Sequence, residues 1–393
     1  MSEEHDCWND WIPGVVSKFQ VEQLVKEGAL KHLEPSNYKD ESSVDLVLGD
    51  TAYEMTNGAV KPFGDDYEHF LTASSFAKSM SFTSETTLNP EKTYVFQIRL
   101  ELGPHFIASG RFHGQATGRS SVGRVDVLTR LIVNGMDQYE GFTPEGLQKG
   151  TNGKLFLEVT PITFPVEVKP GISLSQLRLF LGSPDSARMK AIDVCGAALR
   201  NSEPDNDGYL SLQVIPEKYG TRGLEAVAFR ARIEDEKKKR NPIKLWKLED
   251  PNSRPKPEEH WTAISAHESL FKGKRFVKIE SGYFHILRSK EELAVPYGVA
   301  VYCRPSDETI GEMRIHYAGF VHPGFGLHRP DGKKGTPLIF EVRGHDFDAT
   351  LMHGEKLARL DFYRMSRDAD KKEKPDDYEE QSLKLSKFFG DWE

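Results

Sequence analysis

Short alternating or apolar runs recur along the chain, at Val44 to Leu48, Tyr94 to Leu100 and Leu155 to Val159, each bounded by Gly, Pro or Asn turns. A period of two over such lengths predicts β-strands. Near the start the period is different. Ser17 and Gln20 have the spacing of a capping box, and apolar Phe19, Val21, Leu24 and Val25 precede Gly28, which ends the run. One short amphipathic helix is expected there. The chain should be mainly β, with a few short helices.

The pattern also repeats at an offset of 183 residues. Leu155, Glu158 and Val159 fall on Leu338, Glu341 and Val342. Without gaps, Gly171, Leu174, Leu177 and Phe180 then fall on Gly354, Leu357, Leu360 and Tyr363. EKTYVFQI near Tyr94 answers ESGYFHIL near Tyr283 more weakly. A matched Glu, Gly and three Leu in register predict a duplication and two similar β domains, residues 1–184 and 185–393. Within the second lies a charged, Pro-rich stretch, residues 234–261. Its basic run, Lys237 to Arg240, has acidic neighbours on both sides, so a solvated strap is expected rather than an RNA-binding patch.

A length of 393 residues exceeds one ordinary core, and 38% hydrophobic with 28% charged residues describes a soluble globular protein. The formal charge of −8 and pI near 6.0 provide no global basic field for a nucleic-acid backbone, so no nucleic-acid partner is expected. A free nucleotide needs only a local basic pocket. Cys7, Cys195 and Cys303 are far apart and form no CxxC pair, which fits a reducing cytoplasm. The polar N-terminus has no signal core, and no run of about 18 apolar residues occurs, so neither secretion nor membrane spanning is expected.

Two segments carry candidate chemistry. TGRSSVGRVDVLTRL, Thr117 to Leu131, joins a glycine turn to two serines and two arginines. Gly118 permits close backbone approach, Arg119 supplies a forked cation, and Ser120 and Ser121 supply hydroxyl and amide donors for phosphate oxygens. A Ser-rich turn can equally be only a turn. HYAGFVHPGFG, His316 to Gly326, is a Gly and Pro punctuated loop whose backbone could read a base edge while Phe320 or Phe325 covers the ring. A plain β-turn with core aromatics is the simpler alternative. His316, His322 and His328 recur every six residues, a spacing that does not face one side of a helix, and no carboxylate pattern completes a zinc site.

Taken together, GRSSVGR, GRVDVLTRLI, LSQLRLF, HYAGF-HPGFG and the tail YEEQSLKLSKFF resemble the long, double-repeat bacterial dCTP deaminases of the dUTPase and dCTP deaminase superfamily. The order of segments matches across nearly the whole chain, and the helix near Ser17 followed by SSVDLVLG looks like that family's opening. The resemblance implies two tandem dUTPase-like repeats of β-barrel or jelly-roll character, and hydrolytic deamination of dCTP to dUTP and ammonia. The H-x-E…P-C-x-x-C signature of zinc deaminases is absent, so side chains must activate the water. By resemblance Ser120 and Arg124 are catalytic, with either Glu341 or Glu158 as the glutamate. Gly118, Arg119, Ser121, Gln176, His316, Tyr317, Ala318, Gly319, Phe320 and His322 would bind substrate. Tyr378, Gln381, Lys384 and Lys387 would belong to a C-terminal lid at residues 376–390.

Single-repeat relatives are trimers whose site joins the phosphate turn of one subunit to the hairpin of its neighbour, and here the two parts look divided between repeats. Repeat one keeps GRSSVGR, but its hairpin place, NGMDQYEGFTPEGLQKGTNG, is lengthened and lacks PGF. Repeat two keeps the hairpin, but its turn reads RPSDET, with Pro305 set against the first Ser and Thr309 against the Arg. One composite site is expected, joining Ser120, Ser121 and Arg124 to the hairpin and Glu341, with Glu158 a structural relic. His322 replaces an Asp that in relatives bonds the sugar, leaving substrate range open. Mg²⁺ would arrive on the triphosphate. dTTP is open as a feedback inhibitor, and a homo-oligomer, trimer or dimer, is expected. dUTP hydrolysis, alone or in succession, and a non-catalytic nucleotide-binding regulator are the competing functions.

Overall fold

The computed structural model describes residues 6–73, 75–233, 241–248, 250, 253–268, 273–306, 313–316, 319–329, 331–371 and 382–392. Its first helix, Lys18–Lys26 (α1), is where capping-box spacing places it, and Gln20 Oε1 accepts the Ser17 N–H at 2.9 Å. Strands dominate the rest and fall into two sets with one pairing plan.

In the first set, Val44–Met55 (β1), Tyr94–Leu102 (β2), Phe112–Gly118 (β3), Val127–Val133 (β4), Gly141–Phe142 (β5), Lys154–Pro161 (β6) and Ser173–Leu181 (β7) form two sheets that share one strand. The first half of β1 pairs with β7, which leads to β3 and β5. Its second half pairs with β2, which leads to β6 and β4. The apolar faces of both sheets meet in one core that includes Leu46, Phe96, Ala116, Leu157 and Leu177. Each fully buried Leu or Phe there stabilises the fold by about 1.5–3 kcal/mol.

The second set comprises Tyr209–Ser211 (β8), Ala228–Ala231 (β9), Phe284–Leu293 (β10), Val299–Pro305 (β11), Met313–His316 (β12), Gly319–Val321 (β13), Thr336–Gly344 (β14) and Lys356–Arg364 (β15). β15 pairs with β8 and β11, and β11 with β13. β14 pairs with β10 and β12, and β10 with β9. β14 and β15 thus occupy the places of β6 and β7, as the sequence offset predicts. Gly171 and Gly354 make the same left-handed turn, φ 87° and 83°, and donate to Leu48 and Leu212 carbonyls at 3.0 and 2.9 Å. Glycine takes that conformation without strain. Among the described residues, β1 has no single counterpart. β8 and β9 divide its role, separated by a segment that holds a small hairpin of Glu217–Tyr219 with Leu224–Ala226.

The repeats share an interface as well as a plan. β7 is buried on both faces. Leu177 and Leu179 enter the repeat-one core, whereas Phe180 packs with Ala300, Tyr363 and Met365 of repeat two. The two-residue strand Gly14–Val15 pairs with β7, and its Val15 carbonyl accepts from Ser366 N–H at 2.7 Å. In the strap, the described residues are more than a solvated connection. Ile243–Lys244 pairs in parallel with Val166–Val168, and Ile243, Leu245 and Trp261 are buried in the repeat-one core. Its charges alternate with apolar residues that need a core, and repeat one provides it. No described helix is long and apolar enough to cross a membrane.

Candidate active site

β3 ends at Gly118, and the chain turns at once into a single helical turn, Ser120–Gly123 (α2). The Arg119 carbonyl accepts from Val122 and Gly123 N–H at 2.8 and 3.0 Å, and the Ser120 carbonyl from Arg124 N–H at 3.0 Å. Asp126 closes the turn at φ 57°, its N–H donating to Gly123 O at 2.8 Å. This compact path separates the two arginines. Arg119 NH1 donates to Asp45 Oδ2 on β1 at 2.6 Å, while the Arg124 side chain is 6% exposed and runs into the interior. Burial, opposed by Arg119, pushes the Asp45 carboxyl up to about 6.

Inside, Arg124 meets a carboxylate from the other repeat. Its Nε lies 3.8 Å from Glu341 Oε1 on β14, and the Glu341 side chain is 4% exposed. Burial holds the Glu341 carboxyl well above the ordinary carboxylate range; Arg124 opposes that shift and Asp126 adds to it. A carboxylate at this depth, with its pKa raised by burial, is a stronger base than an exposed one. The hairpin of repeat two forms the next wall. Gly319 pairs with Cys303, and a side chain on Gly319 would begin 4.0 Å from Ser120 Oγ, so the hydroxyl faces the hairpin backbone. Burial and the Glu341 charge push the Cys303 thiol up to about 12.

Arg178, on β7, sutures the hairpin to repeat one. Fully buried, it donates from NH1 to the Val301 carbonyl at 2.9 Å and from Nε to the Ser42 carbonyl at 3.3 Å. NH2 donates to Ser42 Oγ at 3.1 Å and the Val321 carbonyl at 3.4 Å. Its guanidinium lies 4.0 Å from the Phe320 ring centroid, a cation–π contact that fixes the ring. His322 turns toward repeat one, with Nδ1 3.0 Å from Ser42 Oγ and Nε2 3.7 Å from Asp40 Oδ2. Gln176 Oε1 accepts from Ser43 Oγ at 3.2 Å.

Glu158 has a different setting, although it occupies the matching strand. Arg130 donates from Nε to its Oε1 at 2.7 Å and also from NH2, and Tyr139 donates to its Oε2 at 3.1 Å. These partners, like Glu158, belong to repeat one, and none lies in GRSSVGR. Tyr139 stands in the lengthened hairpin and stacks under Arg130 at 4.3 Å. The extra residues therefore fill the space beside Glu158.

The C-terminal tail crosses the phosphate turn. Ser386 Oγ donates to the Ser121 carbonyl at 2.6 Å, and Arg124 NH1 donates to the Lys384 carbonyl at 3.4 Å. The Lys384 and Lys387 residues are exposed, and the Lys387 charge acts on Asp45. Phe389 anchors the tail against Phe164, His260 and Trp261, with ring centroids 5.4–6.3 Å apart. Tyr317, Ala318, Tyr378 and Gln381 lie outside the described residues, as does Thr309; of His316, only its strand place opposite Glu341 is described.

One sequence alignment is corrected. Pro305 pairs with Ala358 just as Gly118 pairs with Ser175, so Pro305 is the counterpart of Gly118 and not of Ser120. Matching Arg and Ser letters alone gives a register two residues off, whereas strand pairing sets it. Several residues at the site were not singled out: Asp45, Asp126, Thr163, Arg178 and Arg343. The signal for Arg178 was a lone charge in an apolar strand, and for Arg343 its place two residues after Glu341 on the same strand face.

Two family models match the chain: the N-terminal domain of 2'-deoxycytidine 5'-triphosphate deaminase over residues 12–183 and its C-terminal domain over residues 212–389. No curated protein sequence matches significantly. Among solved structures, the chain is similar to the crystal structure of 2'-deoxycytidine 5'-triphosphate deaminase from Agrobacterium tumefaciens, with a TM-score of 0.76 and 24% identity. That match covers 91% of this chain and 97% of the other.

Proposed function

The chain belongs to the 2'-deoxycytidine 5'-triphosphate deaminase family, whose enzymes deaminate dCTP, and from that premise we propose that it does so hydrolytically at one composite site per chain. Glu341 is the general base, Arg124 and Ser120 orient it and the water, and no metal activates the water. The approach of Arg124 to Glu341 across the repeats, with both side chains buried, carries this assignment.

Glu341 takes a proton from water as the oxygen bonds to C4 of cytosine, and passes that proton to N3. The second proton of the added hydroxyl moves through Glu341 to the exocyclic amine. The C4–N4 bond breaks, ammonia leaves and the C4 carbonyl of dUTP forms. Arg124 stabilises the carboxylate between the two transfers, and Ser120 faces the hairpin where the base would lie. Glu158, already bonded to Arg130 and Tyr139, has a structural role.

Gly118, Arg119, Ser121 and the lid lysines Lys384 and Lys387 would bind the triphosphate, with Gln176 and the hairpin residues at the nucleoside. Mg²⁺ would be held by phosphate oxygens, since no three His, Cys, Asp or Glu side chains among the described residues gather to hold an ion unaided. A homo-oligomer, feedback by dTTP at the same site and a cytoplasmic location extend the proposal. The deciding experiment measures ammonia and nucleotide products from purified protein with dCTP and Mg²⁺, with CTP, dCMP and dUTP in parallel. Formation of dUTP that survives a zinc-selective chelator is expected. Pyrophosphate release from dUTP would identify a diphosphatase step, and binding without turnover would identify a regulator.

A further inference from the structure

Arg124 and Asp126 stand two residues apart on the turn of repeat one, and Glu341 and Arg343 stand two apart on one face of β14. The four meet crosswise, cation to anion in both directions. Arg124 approaches Glu341, and Arg343 NH2 donates to Asp126 Oδ2. Thr163 ties the second pair, accepting from Arg343 NH2 at 2.5 Å and donating to Asp126 Oδ2 at 2.5 Å. Arg343 NH1 donates to the Gly282 carbonyl at 2.7 Å, so the guanidinium is fixed at both ends. Asp126 has no exposed surface, and its backbone is in the left-handed region. Its Oδ1 is buried and has no hydrogen-bond partner among the described residues. A buried carboxylate in a left-handed, non-glycine turn is costly to keep, and a plain turn does not need it.

We propose that Asp126 and Arg343 are positioning residues, whose pair across the repeats sets the distance and orientation of Glu341 relative to Arg124. This rests on Glu341 being the general base. The pair pins β14 two residues beyond Glu341, roughly 7 Å along the strand, so the carboxylate cannot move away from the turn without breaking it. Asp126 also acts on Glu341 through space, favouring its protonated form, while Arg124 favours the ionised one. Cys303, which burial and the Glu341 charge push up to about 12, remains a thiol.

The test compares Asp126→Asn, Arg343→Gln, the double variant and Glu341→Gln, measuring kcat and KM for dCTP and the acid limb of the pH profile. Asn is chosen because it tolerates a left-handed backbone. Each single change is expected to lower kcat about 10- to 100-fold while KM stays within about threefold. The acid limb should move down in Asp126→Asn, which loses a neighbouring negative charge, and down also in Arg343→Gln, because Asp126, which burial already holds above the ordinary carboxylate range, takes up a proton once Arg343 no longer opposes that shift. A merely structural pair would change melting temperature and leave kcat per folded molecule and the limb where they are, and that outcome overturns the proposal. If a single variant does not fold, the double variant, which buries no unpaired charge, decides. A kcat at least tenfold down with the limb moved down as in Asp126→Asn is expected, and wild-type kcat overturns the proposal. Turnover retained in Glu341→Gln would instead remove the base assignment itself. A dead Glu341→Gln beside a fully active Asp126→Asn would remove only the positioning role.

Discussion

Exchanging each of the two matched glutamates for glutamine separates catalysis from architecture. At 3.8 Å, the attraction between Arg124 and Glu341 is about 4 kcal/mol at an effective dielectric near 20. That suffices to orient the carboxylate but not to overcome the cost of its burial, since its pKa is still raised. Glu341→Gln keeps the shape and loses the proton acceptor, so kcat should fall about 10³-fold, equivalent to about 4 kcal/mol of barrier. Its fold should not suffer. Because the carboxyl's folded pKa lies above its unfolded value, ionisation opposes folding: wild-type stability is full below the unfolded pKa and declines as pH rises toward the folded one. Glutamine removes that decline, and the melting temperature at neutral pH should stay or rise. Glu158→Gln can still accept from Arg130 through its oxygen while its NH2 donates to the Tyr139 hydroxyl oxygen, and turnover should remain within about twofold of wild type. Ammonia release from dCTP, with melting curves over a range of pH, reads all of these outcomes. A dead Glu158→Gln beside an active Glu341→Gln would refute the composite site.

The acid limb of kcat/KM should lie well above pH 4.5, because Glu341 must be ionised to accept a proton and its carboxyl is raised; a profile flat from pH 5 to 8 would exclude it as the base. Phe389→Ala removes the anchor against Phe164, His260 and Trp261, at a local cost of about 3–5 kcal/mol. KM for dCTP should rise, and limited proteolysis should cut the tail faster, with the rest of the fold protected. EDTA should slow turnover by stripping Mg²⁺ from the triphosphate, with full recovery on adding Mg²⁺, whereas a zinc-selective chelator should have no effect.

Much of this was legible in the chain itself. Strand periods, the capping box and the matched Gly171 and Gly354 identify the elements and the duplication, because each depends on local sequence. Glu158 and Glu341 occupy the same place in equivalent strands, so the expectation of Glu341 comes from the division of motifs between the repeats and not from either strand's own sequence. That choice depends on which repeat's turn reaches which strand, and on Tyr139, whose lengthened hairpin reads only as extra residues. The division of β1 into β8 and β9 was hidden for a similar reason: short strands separated by a hairpin leave no continuous alternating run. The Asp126–Arg343 pair joins residues more than half the chain apart, and although Asp126 lies within GRVDVLTRLI, nothing near it in sequence points to Arg343.

A site completed by the meeting of Arg124 and Glu341 has both halves on one polypeptide. Where such halves belong to separate subunits, dilution can separate them; a covalent tether holds them at an effective concentration on the order of millimolar whatever the amount of protein. Specific activity should then hold steady at concentrations at which a shared-subunit enzyme falls apart. Either repeat is also free to drift where its partner supplies what it has lost, which is how one half can keep the turn and the other the base.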